Sequence, residues 1–417
     1  MTEGMSNTCD SFEHGGNIYR LAEELKMQER KVMDFSASVN PLGVSKKIKT
    51  EMRKHLKYLH NYPDPEAKRL RKRLAQYHGI DLETILCGNG STELIYLITR
   101  VLKPQEVLIP APTFSEYERA IILQNTPSPP LPQGEGNSLK ISSPSRVGID
   151  SYRGEGKGGG ESQTSGLWNS GFIKYFMLDK ENGFEIIPDK FIYAMRGDGN
   201  SELKTTPCEM AFLCNPNNPT GRLLRGDDVK RIADAAKEFK CYLIVDEAFI
   251  DFCADDSVIK DVRDNPYLIV LRSMTGFYAL SGLRIGYGIF PQHLIKRLKK
   301  YKEPWTINNL AQRAAVVALK DKVYRSETFK LIKGEKKFLE KSFRKIGIEF
   351  FDSDVNFYLL KINNANELCQ QLKRKGILLR DCSIFRGLDS TYLRVAVKSH
   401  KENTILIKEL TTILQKM

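Results

Sequence analysis

From position 85 onward, short apolar runs alternate with stretches of helical period, and this alternation restricts the fold more than any other feature of the chain. The runs at 106–109, 174–178, 210–214, 241–245 and 268–271 are almost wholly apolar. A strand with one wet face alternates polar and apolar residues, whereas a continuously apolar strand is buried on both faces. That is the property of a mainly parallel sheet covered by helices, an α/β architecture. A helix predicted at 227–239 separates the third run from the fourth. Open α/β sheets bind ligands beyond the C-terminal ends of their strands, so the loops that follow these runs are where chemistry is expected.

Five such loops carry a recognisable pattern. Gly88-Asn89-Gly90-Ser91-Thr92 opens a helix predicted at 90–99, whose free N–H groups and dipole suit a phosphate, though alone it is as readily a plain turn. Ala111-Pro112-Thr113-Phe114-Ser115-Glu116-Tyr117 presents Phe114, either a face for a flat heterocycle or a core ring. In Asn215-Pro216-Asn217-Asn218-Pro219-Thr220-Gly221, two Asn-Pro pairs and a glycine fix a turn that aims an amide at the sheet edge. Asp246 ends a buried strand, where a carboxylate needs a cationic or hydrogen-bonding partner, such as a protonated pyridine nitrogen, or serves as a cap. Finally, Leu271-Arg272-Ser273-Met274-Thr275-Gly276 runs through a Ser/Thr turn to Arg284 and the small-residue run Gly286-Tyr287-Gly288.

Composition removes several classes. No apolar run approaches the roughly 20 residues of a membrane span, and the polar first 17 residues have no signal-peptide core, so a cytoplasmic protein without membrane contact is expected. The eight cysteines are scattered without a C-x-x-C pair, which predicts reduced thiols and no metal site. The formal charge of +13 lies in helix-like runs without interleaved stacking aromatics; this argues against nucleic acid and favours an anionic small-molecule substrate.

The expected organisation is an N-terminal arm at 1–45, a large domain at 46–290 and a smaller C-terminal α+β domain at 291–417. Within the large domain, 125–170 is rich in Pro and Gly and follows neither period. It reads as an inserted, disordered surface loop, since structureless loops of that length are uncommon inside compact domains.

In order and spacing the five loops resemble the pyridoxal-phosphate enzymes of fold type I, with the aspartate-aminotransferase-like fold. His14-Gly15-Gly16-Asn17, the segment Phe35 to Gly43, Tyr62-Pro63-Asp64-Pro65 and Asp246-Glu247-Ala248-Phe249 look like the threonine-phosphate decarboxylases of cobalamin biosynthesis, which are similar to histidinol-phosphate aminotransferases. The resemblance implies pyridoxal phosphate as coenzyme and a small phosphorylated amino acid as substrate. Gly90, Ser91, Ser273 and Arg284 would hold the coenzyme phosphate, with Tyr62 reaching in from the second subunit of a homodimer. Phe114 would stack on the ring, Asn218 would bind its 3′-oxygen, and Asp246 would pair with its nitrogen. His14, Asn40, Arg380 and Arg394 would hold the substrate. In that family a lysine binds the coenzyme covalently three residues after the serine and eight before the arginine; here that position is Gly276. The coenzyme is therefore expected to be held non-covalently, and three functions stay open: a decarboxylase of impaired activity, a histidinol-phosphate-type aminotransferase, or a non-catalytic binder of coenzyme or substrate.

Overall fold

The computed structural model describes residues 14–125, 167–169, 172–197 and 207–416. In chain order its strands are β1 (Met33–Asp34), β2 (Ile85–Gly88), β3 (Val107–Ala111), β4 (Leu167–Asn169), β5 (Ile173–Met177), β6 (Met210–Cys214) and β7 (Tyr242–Asp246). They continue with β8 (Leu268–Ser273), β9 (Gly286–Ile289), β10 (Glu349–Phe350), β11 (Phe357–Lys361), β12 (Ile377–Leu378), β13 (Arg380–Asp381) and β14 (Tyr392–Ala396).

An eight-stranded sheet in the order β2-β9-β8-β7-β6-β3-β5-β4 forms the larger body. Its centre, from β8 through β5, is parallel, while β2, β9 and β4 pair antiparallel at the two margins. Successive residues of the central strands feed two different cores. Leu243, Val245, Leu213 and Val270 pack on one side, and Ile244, Phe212, Ile269 and Leu271 on the other. Both faces are thus covered, which is why these strands are apolar at most positions. This is the α/β architecture that the apolar runs predict, a mainly parallel sheet covered on both faces.

A four-stranded antiparallel sheet, β10-β11-β14-β13, has its own core of Phe343, Tyr358, Leu360, Leu393, Val395 and Leu410. Short β1 pairs with β12, tying the residues after position 33 to this second body. β12 and β13, separated by Leu379 alone, belong to different sheets. Among the described residues, no helix is long and apolar enough to cross a membrane.

The predicted insertion at 125–170 lies mostly outside the described residues, as do the first 13 residues of the predicted arm. At its end the expectation of a structureless loop is corrected: Leu167–Asn169 is an edge strand, antiparallel to β5 with Trp168 opposite Tyr175. Three residues are too few to establish a period in sequence, yet they suffice to pair along an edge of the sheet.

Candidate active site

The parallel strands end in register, Cys214 beside Asp246 and Asp246 beside Leu271, so the loops that follow them meet at one edge of the sheet. A cavity of about 470 Å³ opens there, lined from the sheet side by Thr92, Phe114, Asn218, Phe249 and Arg284 and from the second body by Arg380, Phe385 and Arg394. His14 and the loop at 36–38 complete the wall.

Asp246 is 2 % exposed. Its Oδ2 accepts from the Tyr117 hydroxyl at 2.8 Å and its Oδ1 from the Ala248 N–H at 3.1 Å. Burial pushes the carboxyl up to about 6 despite these two bonds, so its charge calls for a cation, and no ion pair to it is found among the described residues. Tyr117 is stacked on Phe212 at 4.6 Å and meets Phe114 edge-on at 5.6 Å, which links the buried carboxylate to the aromatic face on the cavity wall. The turn carrying Asn218 is tied to the neighbouring loop through Asn217, which accepts from Thr113 Oγ1 at 2.8 Å and donates to the Pro112 carbonyl at 3.0 Å.

The cup between the helix start at Gly90 and β9 is shaped by what is missing from its backbone. Gly90 begins the helix Gly90–Leu102 with φ +77°, and a Cβ there would stand 2.5 Å from Arg284 Nη2. A Cβ on Gly286 would stand 2.4 Å from the Ser91 nitrogen, so β9 can lie against the helix start only as glycine. Arg284 itself has φ +54°, a left-handed conformation uncommon for a side chain of its size. Ser273 Oγ lies 2.8 Å from Thr275 Oγ1 beside this cup.

Gly276 differs from these glycines. It is buried, but its backbone is not left-handed, and a Cβ would meet only Ser38 O at 3.3 Å and the Phe249 ring at 3.5 Å. The backbone therefore does not require glycine there, and a Cβ fits after a shift of a few tenths of an ångström.

Facing the sheet, Arg394 is 7 % exposed; it donates to the Ser36 carbonyl at 2.7 Å and to Asn218 Oδ1, and its guanidinium lies 5.1 Å from the Phe357 ring. Burial pulls it down to about 10, with neighbouring Arg380 acting in the same direction. Arg394 Nε and Ser38 Oγ, both in residues of the cavity wall, have no hydrogen-bond partner among the described residues. Buried donors without acceptors are costly, and an anion in the cavity would satisfy them.

Two expected contacts lie elsewhere. Asn40 does not line the cavity: its amide donates to the Phe277 carbonyl at 2.8 Å and to Thr328 Oγ1 at 2.7 Å, while its N–H donates to the Gly276 carbonyl at 3.0 Å. It fastens the segment holding Gly276, so the expectation of a substrate contact through this amide is corrected. Tyr62 is 81 % exposed and rests on Trp305, 5.0 Å between rings, away from the cavity of its own chain. Conversely, Glu116, Arg119 and Phe249 line the cavity and Tyr117 buttresses Asp246, roles the sequence did not announce. The signal available was the first helical turn after Phe114, which carries all but Phe249.

This combination of sheet, buried carboxylate and glycine cup has a counterpart among known families. The model of aminotransferase class I and II matches residues 30–132 and 166–410, and the chain belongs to that family, whose coenzyme is pyridoxal phosphate. Among its relatives, the threonine-phosphate decarboxylase of Salmonella typhimurium strain LT2 is 31 % identical over 405 residues, covering 96 % of each chain. The crystal structure of L-threonine-O-3-phosphate decarboxylase from Porphyromonas gingivalis superposes with a TM-score of 0.70 at 25 % identity, over 92 % of this chain and 100 % of the other. Histidinol-phosphate aminotransferase from Clostridium acetobutylicum gives 0.74 at 27 %, over 93 % and 100 %.

The residues present fit the family's coenzyme. A phosphate can enter the glycine cup under Arg284, an aromatic ring can lie on Phe114, and a protonated ring nitrogen supplies the cation that Asp246 lacks.

Proposed function

We propose that the chain is a pyridoxal-phosphate-dependent decarboxylase of L-threonine O-3-phosphate, forming (R)-1-amino-2-propanol O-2-phosphate for cobalamin biosynthesis, with its activity reduced by glycine at position 276. The observation that carries the reading is the charge of the cavity wall: Arg119, Arg284, Arg380 and Arg394 with His14, against the single carboxylate of Glu116. One guanidinium serves the coenzyme phosphate, and the others match a substrate that carries both a carboxylate and a phosphate. The threonine-phosphate decarboxylases among the relatives support the same substrate.

When bound, pyridoxal phosphate supplies an aldehyde and an electron-withdrawing ring that stabilises negative charge at the substrate Cα. Asp246 holds the proton on the ring nitrogen, and Tyr117 keeps that carboxylate in place. Gly90, Ser91, Ser273 and Arg284 would anchor the coenzyme phosphate, Phe114 would support its ring, and Asn218 would bind its 3′-oxygen. Arg394 and Arg380, which line the cavity, would hold the substrate's anionic groups and so orient its Cα. The missing lysine amine would ordinarily move protons at the substrate, and loss of such a group costs about 10²–10⁴-fold in rate.

A second reading, amino transfer from histidinol phosphate, is supported by the higher TM-score of the aminotransferase neighbour. The substitution Gly276→Lys separates the two. Carbon dioxide released from threonine phosphate by the lysine form supports the decarboxylase. Transfer from histidinol phosphate without that release refutes it, and neither activity leaves a non-catalytic binder.

A further inference from the structure

A buried ion pair stands behind the glycine cup and has no part in the contacts described above. Glu93 lies in the first turn of the helix Gly90–Leu102, and its Oε2 accepts the N–H of Asn89, which holds the turn Gly88-Asn89-Gly90 at the helix start. Its Oε1 accepts from Lys302 Nζ at 2.8 Å. Lys302 follows the helix Gln292–Tyr301, and its ammonium also donates to Thr306 Oγ1 and, at 3.4 Å, to the Glu303 carbonyl. The Glu303 carboxylate is taken by Arg100 at 2.7 Å, so Glu93 is the one carboxylate that pairs with Lys302 among the described residues. The two side chains are 10 % and 18 % exposed, too enclosed for solvent to screen them as it screens a surface pair.

The turn needs Glu93 for its shape, as the acceptor of the Asn89 N–H. Its charge has a different consequence. A carboxylate in the first turn suits an empty helix start, whose N–H groups carry partial positive charge, but it opposes a second anion at the same place. A phosphate monoester brings about −1.5 to −2 charges. Against them the cup offers the guanidinium of Arg284, whose Nη2 lies 2.5 Å from where a Gly90 Cβ would stand. An unpaired Glu93 would cancel that guanidinium. Paired with Lys302, it leaves Arg284 and the free N–H groups of the helix to the phosphate.

We infer that Lys302 is a positioning residue for the coenzyme: it neutralises Glu93, so that this carboxylate shapes the helix start without repelling the phosphate held there. The inference rests on the coenzyme phosphate entering this cup, and not on which substrate is turned over. It makes the two partners of one ion pair act in opposite directions on coenzyme affinity. A pair of purely structural importance would weaken binding when either side is removed.

The test is the dissociation constant of pyridoxal phosphate, read by equilibrium dialysis, with thermal unfolding of each coenzyme-free variant as the control for folding. Lys302→Met is expected to loosen the coenzyme about 3–30-fold, and Lys302→Arg, which keeps the charge, to leave it nearly unchanged. Glu93→Gln, which keeps an acceptor for the Asn89 N–H, is expected to tighten it. The double variant Glu93→Gln with Lys302→Met should return it close to the unaltered value. Unchanged affinity in Lys302→Met, loosening in both single variants, or a double variant as loose as Lys302→Met overturns the inference. Should Lys302→Met fail to fold, the sign of the Glu93→Gln effect decides. Arg284→Met separates the cup from the pair. If it loosens the coenzyme and Lys302→Met does not, the cup stands and the role of Lys302 falls. If Arg284→Met changes nothing, or the unaltered chain binds no coenzyme, the cup reading falls and takes the inference with it.

Discussion

Asp246 concentrates the energetics of the site in one residue. Its carboxyl titrates near 6 in the folded chain against an ordinary 3.8, because burial outweighs the hydrogen bonds from Tyr117 and Ala248. The folded state thus prefers the protonated form, and stability is lost as pH rises from about 4 through about 6. Asp246→Asn keeps the shape and removes the charge. It should stabilise the coenzyme-free protein by about 1–3 kcal/mol at pH 8 and by little at pH 4, as thermal unfolding at the two pH values will show. The same substitution should weaken coenzyme binding, since an amide offers no charge to a protonated ring nitrogen. Stability gained where function is lost is the signature of a group kept for its ligand. Gly276 is the opposite case: nothing in its backbone or surroundings needs glycine, so a lysine placed there should leave the melting temperature nearly unchanged.

At the scale of elements, β7, β8 and β9 carry a polar network on the sheet beside the coenzyme site. Arg272 of β8 is 2 % exposed and is held between Glu247 at 3.0 Å and Asp251 at 3.0 Å. Opposite it on β9, the Tyr287 hydroxyl meets His78 Nε2 at 2.8 Å. Removing one partner of such a buried set leaves the others uncompensated. Arg272→Met should therefore cost about 3–5 kcal/mol in chemical denaturation, and because Glu247 follows Asp246, it should loosen the coenzyme as well. His78 adds a pH term of known sign. Burial, helped by Arg272, pulls the ring down to about 3 from 6.5, so the folded chain resists a proton that the unfolded chain accepts. Stability is complete above 6.5 and declines as pH falls toward 3. His78→Gln should flatten that acid limb; a limb unchanged by the substitution would show that other groups govern it.

Across the whole molecule, the sheet and the strand-end residues were legible because burial on both faces writes itself as uninterrupted apolar runs. Asp246 and Asn218 stand out as polar residues directly beyond such runs. Glu116 and Tyr117 did not, since their partners His14 and Asp246 lie 102 and 129 positions away. Asn40 shows the converse: a polar loop residue reads as a ligand contact until the fold reveals Phe277 and Thr328 already using its amide. The central claim is that the coenzyme cradle is assembled and only the covalent attachment is lacking. Its most direct test is to titrate the unaltered chain with pyridoxal phosphate, reduce with borohydride and map the peptides. Bound coenzyme that dialyses away and leaves no modified lysine, with an adduct at position 276 appearing only in Gly276→Lys, is the predicted result. A reduced adduct on any lysine of the unaltered chain, or no coenzyme binding at all, would contradict it.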